Sequence, residues 1–203
     1  MKPIYGVHPG VAASQKWVAE LKNKTGRSLD EWVAYIKKSG PSTEKERRDW
    51  LKNEHGLGTN SAWWLAERAD GKAADDSDPE SYLKAAVQYV ETMYTGGKAG
   101  LRPIHDEIIK RARKLGKDVK VCPCQTIVPL YRKHVFAEIK PSTKTRIDLG
   151  FALGDMKPKG RLIDTGGLAK KNRITHRTPI TTLDEIDEEV MRWLQTAYDR
   201  DAS

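Results

Sequence analysis

Two cysteines and two phenylalanines are all that this 203-residue chain holds of either type, and no apolar run comes near the length of a bilayer span, which needs about 18–20 residues. So few cysteines exclude a disulfide scaffold and fit a reducing compartment. The opening Met1-Lys2-Pro3-Ile4-Tyr5-Gly6 lacks the apolar core of a signal peptide, so a cytoplasmic protein is expected. Catalytic signatures are missing too. There is no nucleophile elbow, no Ser-His-Asp order and no Gly-rich nucleotide loop between a strand and a helix. Cys122-Pro-Cys124 has one residue between the thiols, where zinc pairs usually have two to four, and the five His are scattered. No catalytic residue, no cofactor and no metal ligand set is therefore expected, and the chain reads as a non-enzyme.

What is present is charge and aromatic bulk. Charged residues make up 32% of the chain, hydrophobic ones 38%, and there are six Trp and seven Tyr. The net charge of +8 is unevenly spread. Residues 1–78 carry 13 Lys and Arg against 12 Asp and Glu, residues 110–177 carry 18 against 5, and residues 178–203 carry 2 against 7. The cationic block, which an acidic helix follows, attracts polyanions: nucleic acid, anionic lipid or phosphorylated ligands.

Helix signals dominate the first third. Gln15–Lys24 carries Trp17, Val18 and Leu21 on one face. Ser28 with Glu31, and Thr43 with Glu46, read as capping boxes opening helices closed by Gly40-Pro41 and His55-Gly56. A fourth helix, Asn60–Ala69, carries Trp63, Trp64 and Leu65. Four short amphipathic helices over residues 1–71 predict a small bundle. The polar stretch 72–78 reads as a linker. Asp78-Pro79 then starts a helix with Leu83, Val87, Val90 and Met93 inward, and Pro103–Leu115 forms another. From Lys117 the period changes to alternation, giving strands near Val119–Cys122, Thr126–Tyr131, Lys133–Ile139, Lys144–Leu153, Arg161–Ile163 and Asn172–Ile180. A last helix, capped by Thr182 or Asp184, buries Ile186, Val190, Trp193, Leu194 and Ala197. The expected class is α+β: a helical bundle, then, over residues 79–203, an antiparallel sheet with helices packed on one face.

Two stretches resemble known families. Thr25-Gly26-Arg27-Ser28-Leu29-Asp30-Glu31-Trp32, with His55-Gly56-Leu57-Gly58 and Trp63-Trp64, resembles a bacterial helical domain of unknown function across residues 10–70. Leu115-Gly116-x-Asp118-Val119, Tyr131-Arg132, Phe136-Ala137, Ile147-x-Leu149-Gly150, Gly160-Arg161-Leu162, Ile174-Thr175-His176-Arg177, and Asp184-x-x-Asp187-x-x-Val190 through Trp193 with Ala197-Tyr198 resemble, across residues 79–200, a second domain of unknown function, sometimes labelled a predicted transport protein. More distantly this half is similar to the YdhG-like and YjbR-like α+β proteins. That likeness implies a curved antiparallel sheet, and in part of the wider group an iron-chaperone or DNA-binding role.

The candidate site is a basic sheet face. Arg132 and Lys133 lie in one segment, Lys144 and Arg146 in another, and Lys170, Lys171, Arg173, His176 and Arg177 in a third. Residues two apart on a strand share a face, so Lys144 with Arg146, and Arg173 with Arg177, are expected to point together. Tyr131 and Phe136 between them offer stacking. The partner implied is anionic, nucleic acid foremost, and no membrane is involved. Two alternatives stand beside it. Asp184, Asp187 and Glu188 would bind iron in a frataxin-like chaperone, although acids at a helix N-terminus are also favoured by the helix dipole. A small-molecule or enzymatic pocket would bring His176, Arg132 and Asp148 together.

Overall fold

The structure, a computed structural model, describes residues 4–72 and 78–202. The linker expected at 72–78 falls mostly on residues outside that set. The chain divides into two compact units: His8–Ala85, and Ala86 onward together with the segment ending at Val7.

The first unit holds α1 (Pro9–Thr25), α2 (Leu29–Ser39), α3 (Glu44–Asn53) and α4 (Thr59–Ala69). α1 starts earlier than the Trp17 periodicity implies, because His8 Nδ1 accepts the Gly10 N–H at 2.9 Å and Pro9 presets the first turn. Both predicted capping boxes form, with Ser28 N–H donating to Glu31 at 2.6 Å and Thr43 N–H to Glu46 at 3.3 Å. Leu21, Trp32, Ile36, Leu51, Ala62 and Leu65 make the core. His55 sits edge-on among Trp32, Tyr35 and Trp50, with ring centroids at 5.4, 5.4 and 4.5 Å. Trp32 is buried and Trp17, Trp50 and Trp64 are half-buried, so these are structural; Trp63, expected on the apolar face of α4, is 41% exposed instead.

α5 (Pro79–Met93) buries Tyr82, Ala86, Val90 and Met93, four residues apart and then three. Val90 and Met93 are buried as expected, but Leu83 is half-buried and Val87 is 51% exposed, their inward places being taken by Tyr82 and Ala86 one residue earlier. A 3-10 turn (Gly96–Leu101) leads into α6 (Arg102–Ala112). Then follow β1 (Lys120–Val121), β2 (Val128–Tyr131), β3 (Val135–Pro141), β4 (Ile147–Phe151), β5 (Ile163–Asp164) and β6 (His176–Ile180). All pair antiparallel in the order β1-β2-β3-β4-β6-β5. The chain ends in α7 (Glu188–Arg200). Thr182 caps only a 3-10 turn at Leu183–Glu185. Asp187 is the true cap of α7, accepting Val190 N–H at 3.0 Å.

Alternation decides which face of the sheet is buried. Val128, Leu130, Ala137, Ile139, Ile147, Leu149, Phe151 and Ile180 are fully buried in one core with Ile104, Ile108, Val190, Trp193 and Leu194 of α6 and α7. Glu138, Lys140, Asp148 and Arg177 fall on the other parity. A bulge interrupts β3: Leu130 faces Ala137 while Tyr131 faces Val135. Phe136 is the extra residue, and it is buried edge-on against Tyr198 at 5.6 Å.

Candidate functional site

The structure places the predicted cations in five separate settings. Arg146 and Arg177 meet at Asp148, with nitrogen–oxygen distances of 3.0 and 2.9 Å. Ser142 Oγ donates to the same carboxylate at 2.6 Å. Arg177 comes from β6 and Arg146 from the β3–β4 turn, so antiparallel pairing brings together charges far apart in sequence.

Arg132, Lys133 and Arg173 converge instead on the C-terminal end of α7. Arg132 Nε binds Asp118 at 2.8 Å, its Nη1 donates to the Tyr198 carbonyl at 3.2 Å, and its guanidinium stacks 4.1 Å from the Tyr198 ring centroid. Tyr198 Oη donates to Asp118 at 2.6 Å. The first effect on the Asp118 carboxyl is that hydrogen bond, with Arg132 second, and both hold it below its ordinary value. Lys133 Nζ donates to the Ala202 carbonyl at 2.6 Å. Asp201, buried, accepts the backbone N–H groups of Lys133 and His134 at 2.8 Å each and also binds Arg173. Burial pushes its pKa up, but the hydrogen bonds from His134, the Arg173 charge and the Lys133 N–H outweigh that and hold it low.

Lys144 projects from the β3–β4 turn onto Gly97. Lys170 and Lys171 are exposed on the loop between β5 and β6, which closes through Asn172 N–H to the Gly167 carbonyl at 2.8 Å. His176 is buried rather than part of an exposed face. It lies opposite Phe151 on the apolar side of the sheet, its Nδ1 2.9 Å from Thr175 Oγ1 and its Nε2 2.8 Å from the Met156 carbonyl. Phe136 is also in the core and is closed to stacking. His176, Arg132 and Asp148 do not share a cleft, because His176 and Asp148 occupy opposite parities of the sheet and Arg132 is held by Asp118 and Tyr198.

Both thiols are free, and burial pushes the Cys122 thiol up to about 12, so neither geometry nor charge activates it. Of the acids, Asp187 is engaged by Arg161 at 2.5 Å, and Glu188 lies 4.0 Å from Arg192. Among the described residues no group of three or more His, Cys, Asp or Glu is placed to hold a metal ion. None of the described helices is long and apolar enough to cross a membrane.

Of the predicted cations, Lys133, Lys144, Lys170 and Lys171 have no carboxylate partner among the described residues, and a further group at the end of α6 joins them. Arg113, Lys114, Lys117 and Lys120 are exposed, and no ion pair among the described residues engages them. Lys110, Arg113 and Lys114 line a groove of about 490 Å³ with Arg102, Asp106, Ile109, Ile4 and Tyr5. Arg102 and Lys110 do have partners there, Asp106 with Glu91 and Glu107 respectively. The segment ending at Val7 is held to the sheet by Gly6 N–H to the Val121 carbonyl at 2.9 Å, and Gly6 abuts the Lys120 stem. A signal for this cluster was in the sequence: Lys110, Arg113, Lys114 and Lys117 recur three and four residues apart, although α6 ends at Ala112 and only Lys110 of them lies on it.

No curated protein and no solved structure matches the chain. Residues 13–71 match the family described as Domain of unknown function (DUF4287). Residues 90–201, more than half of the chain, match the family described as Domain of unknown function (DUF5655), and to that family the protein belongs.

Proposed function

We propose that this is a non-enzymatic binding protein whose partner is a polyanion, nucleic acid foremost, contacted at the C-terminal end of α6 rather than on the sheet. One observation carries the reading: Arg113, Lys114, Lys117 and Lys120 are exposed with no carboxylate partner among the described residues, and the first two line a groove with Ile4, Tyr5 and Ile109. Unpaired cations contribute counterion release on binding phosphates, whereas cations already paired contribute little. The Tyr5 ring and the aliphatic side chains give bases an apolar surface to lie on.

The test is fluorescence anisotropy with a labelled mixed-sequence single strand between about 50 and 200 mM salt. Neutralising the four phosphates that these cations could meet gives log affinity a slope of about −3 against log salt. Charge reversal at Arg113, Lys114 and Lys120 should abolish binding, and Arg146→Ala with Arg177→Ala should leave it nearly intact. Binding that ignores salt, or that survives the charge reversals, overturns the proposal.

A further inference from the structure

We propose a second, independent anion site, for a small phosphomonoester, in the groove where the Gly96–Leu101 turn meets the β3–β4 turn. The groove has a volume of about 370 Å³ and is lined by Thr92, Met93, Thr95, Gly97, Lys98, Gln125, Thr126 and Lys144. Volumes of this order suit a small organic ligand.

Its chemistry is one-sided. Two ammonium groups, several hydroxyls and an amide face it, and no carboxylate lines it. Arg146 and Arg177, by contrast, are spent on Asp148, and Arg173 on Asp201. Lys98 is fixed by one of its three donors, Nζ to the Pro141 carbonyl at 2.7 Å, which ties the turn to the end of β3 and leaves donors for a ligand. Among the described residues Lys144 has no ion-pair or hydrogen-bond partner for its ammonium. Its stem is instead laid across Gly97: a Cβ there would come within 2.9 Å of Lys144 Cδ and 3.2 Å of Cγ. Gly97 thus makes the space that directs Lys144 along the groove. Two like charges held at one small site without a counter-charge favour a dianion, and Met93 offers the organic portion an apolar contact.

The experiment is a titration of the ¹⁵N-labelled full chain with inorganic phosphate, with ribose 5-phosphate and with ribose, at ionic strength matched by sodium chloride. Phosphate and ribose 5-phosphate should shift the amides of Gly97, Lys98 and Thr126 saturably, and ribose should not. Lys144→Ala should weaken ribose 5-phosphate about tenfold, the effect of one charge-assisted hydrogen bond. Gly97→Ala should weaken it similarly without unfolding the protein, since a flexible lysine stem yields to the new methyl. Arg113→Glu with Lys114→Glu should change nothing here, which separates this site from the α6 groove. Shifts that follow ionic strength alone, or undiminished affinity in Lys144→Ala, overturn the proposal.

Discussion

Arg177 on β6 donates to Asp148 on β4 at 2.9 Å, and Asp148 is also the partner of Arg146. Two cations that β4–β6 pairing brings together are therefore charge-compensated by one carboxylate on β4. Replacing Asp148 with Asn should cost about 1–2 kcal/mol in urea unfolding, because two ion pairs become guanidinium–amide hydrogen bonds without the opposite charge. It should also raise oligonucleotide affinity at low salt by releasing two guanidinium groups. A variant as stable as the parent, with unchanged affinity, would show that the pair is incidental.

Asp201 fastens the β2–β3 turn to the end of α7. Its carboxylate is buried and accepts from Lys133 and His134 while it binds Arg173. Asp201→Ala leaves those donors unmatched and should cost about 3 kcal/mol. The folded pKa lies below the ordinary 3.8. The contribution is therefore complete above that value and fades as pH falls through the lower folded value. Chemical unfolding of parent and variant at pH 7 and pH 3 measures both effects, and their stability difference should shrink on acidification.

Gly116 and Tyr198 stand in a relation that explains one of the motifs. A Cβ on Gly116 would lie 1.9 Å from Tyr198 Oη, and the ring is pinned by Asp118 and Arg132. Gly116→Ala should cost about 2 kcal/mol, as overpacking does. Tyr198→Phe should cost about 1 kcal/mol, the net value of a hydrogen bond. Because the phenol oxygen is what the methyl strikes, the double variant should lose less than the sum of the two. Strict additivity in thermal unfolding would contradict this account.

His105 supplies a pH dependence of opposite origin. It is fully buried on α6 with Nδ1 2.9 Å from Tyr94 Oη, and its Nε2 has no partner among the described residues. Burial first, and the Arg102 charge second, lower its pKa from 6.5 to about 3. The unfolded imidazole takes up a proton below 6.5 and the folded one does not until about 3. Stability should fall with pH across that window, by up to about 1.4 kcal/mol per pH unit. His105→Leu should flatten the stability profile between pH 6.5 and 4.5, and an unaltered slope would sink the assignment.

The helical half was legible in detail because its signals are local. A capping box spans four residues, and Ser28 with Glu31 is its own proof. The strands were legible as a period, but their ends were not. Lys144–Leu153 shrinks to Ile147–Phe151 because the hairpin turn claims the residues before it. Pairing of the cations was invisible: Asp201 lies 28 residues from Arg173 and 68 from Lys133. His176 is different. Alternation puts His176 on the side of Thr178 and Ile180 and Arg177 on the side of Pro179, so no single face could hold both. The bulge at Phe136 carries no comparable mark, since an inserted residue reverses parity without changing composition.

The sheet ends at β1 on one side and β5 on the other, each two residues long, and the Val121 carbonyl of β1 is already taken by Gly6. A foreign strand therefore finds almost no free ladder to extend. Trimming the first six residues would uncover that edge, and the molecule would gain a route to self-association by strand addition that the intact chain closes off.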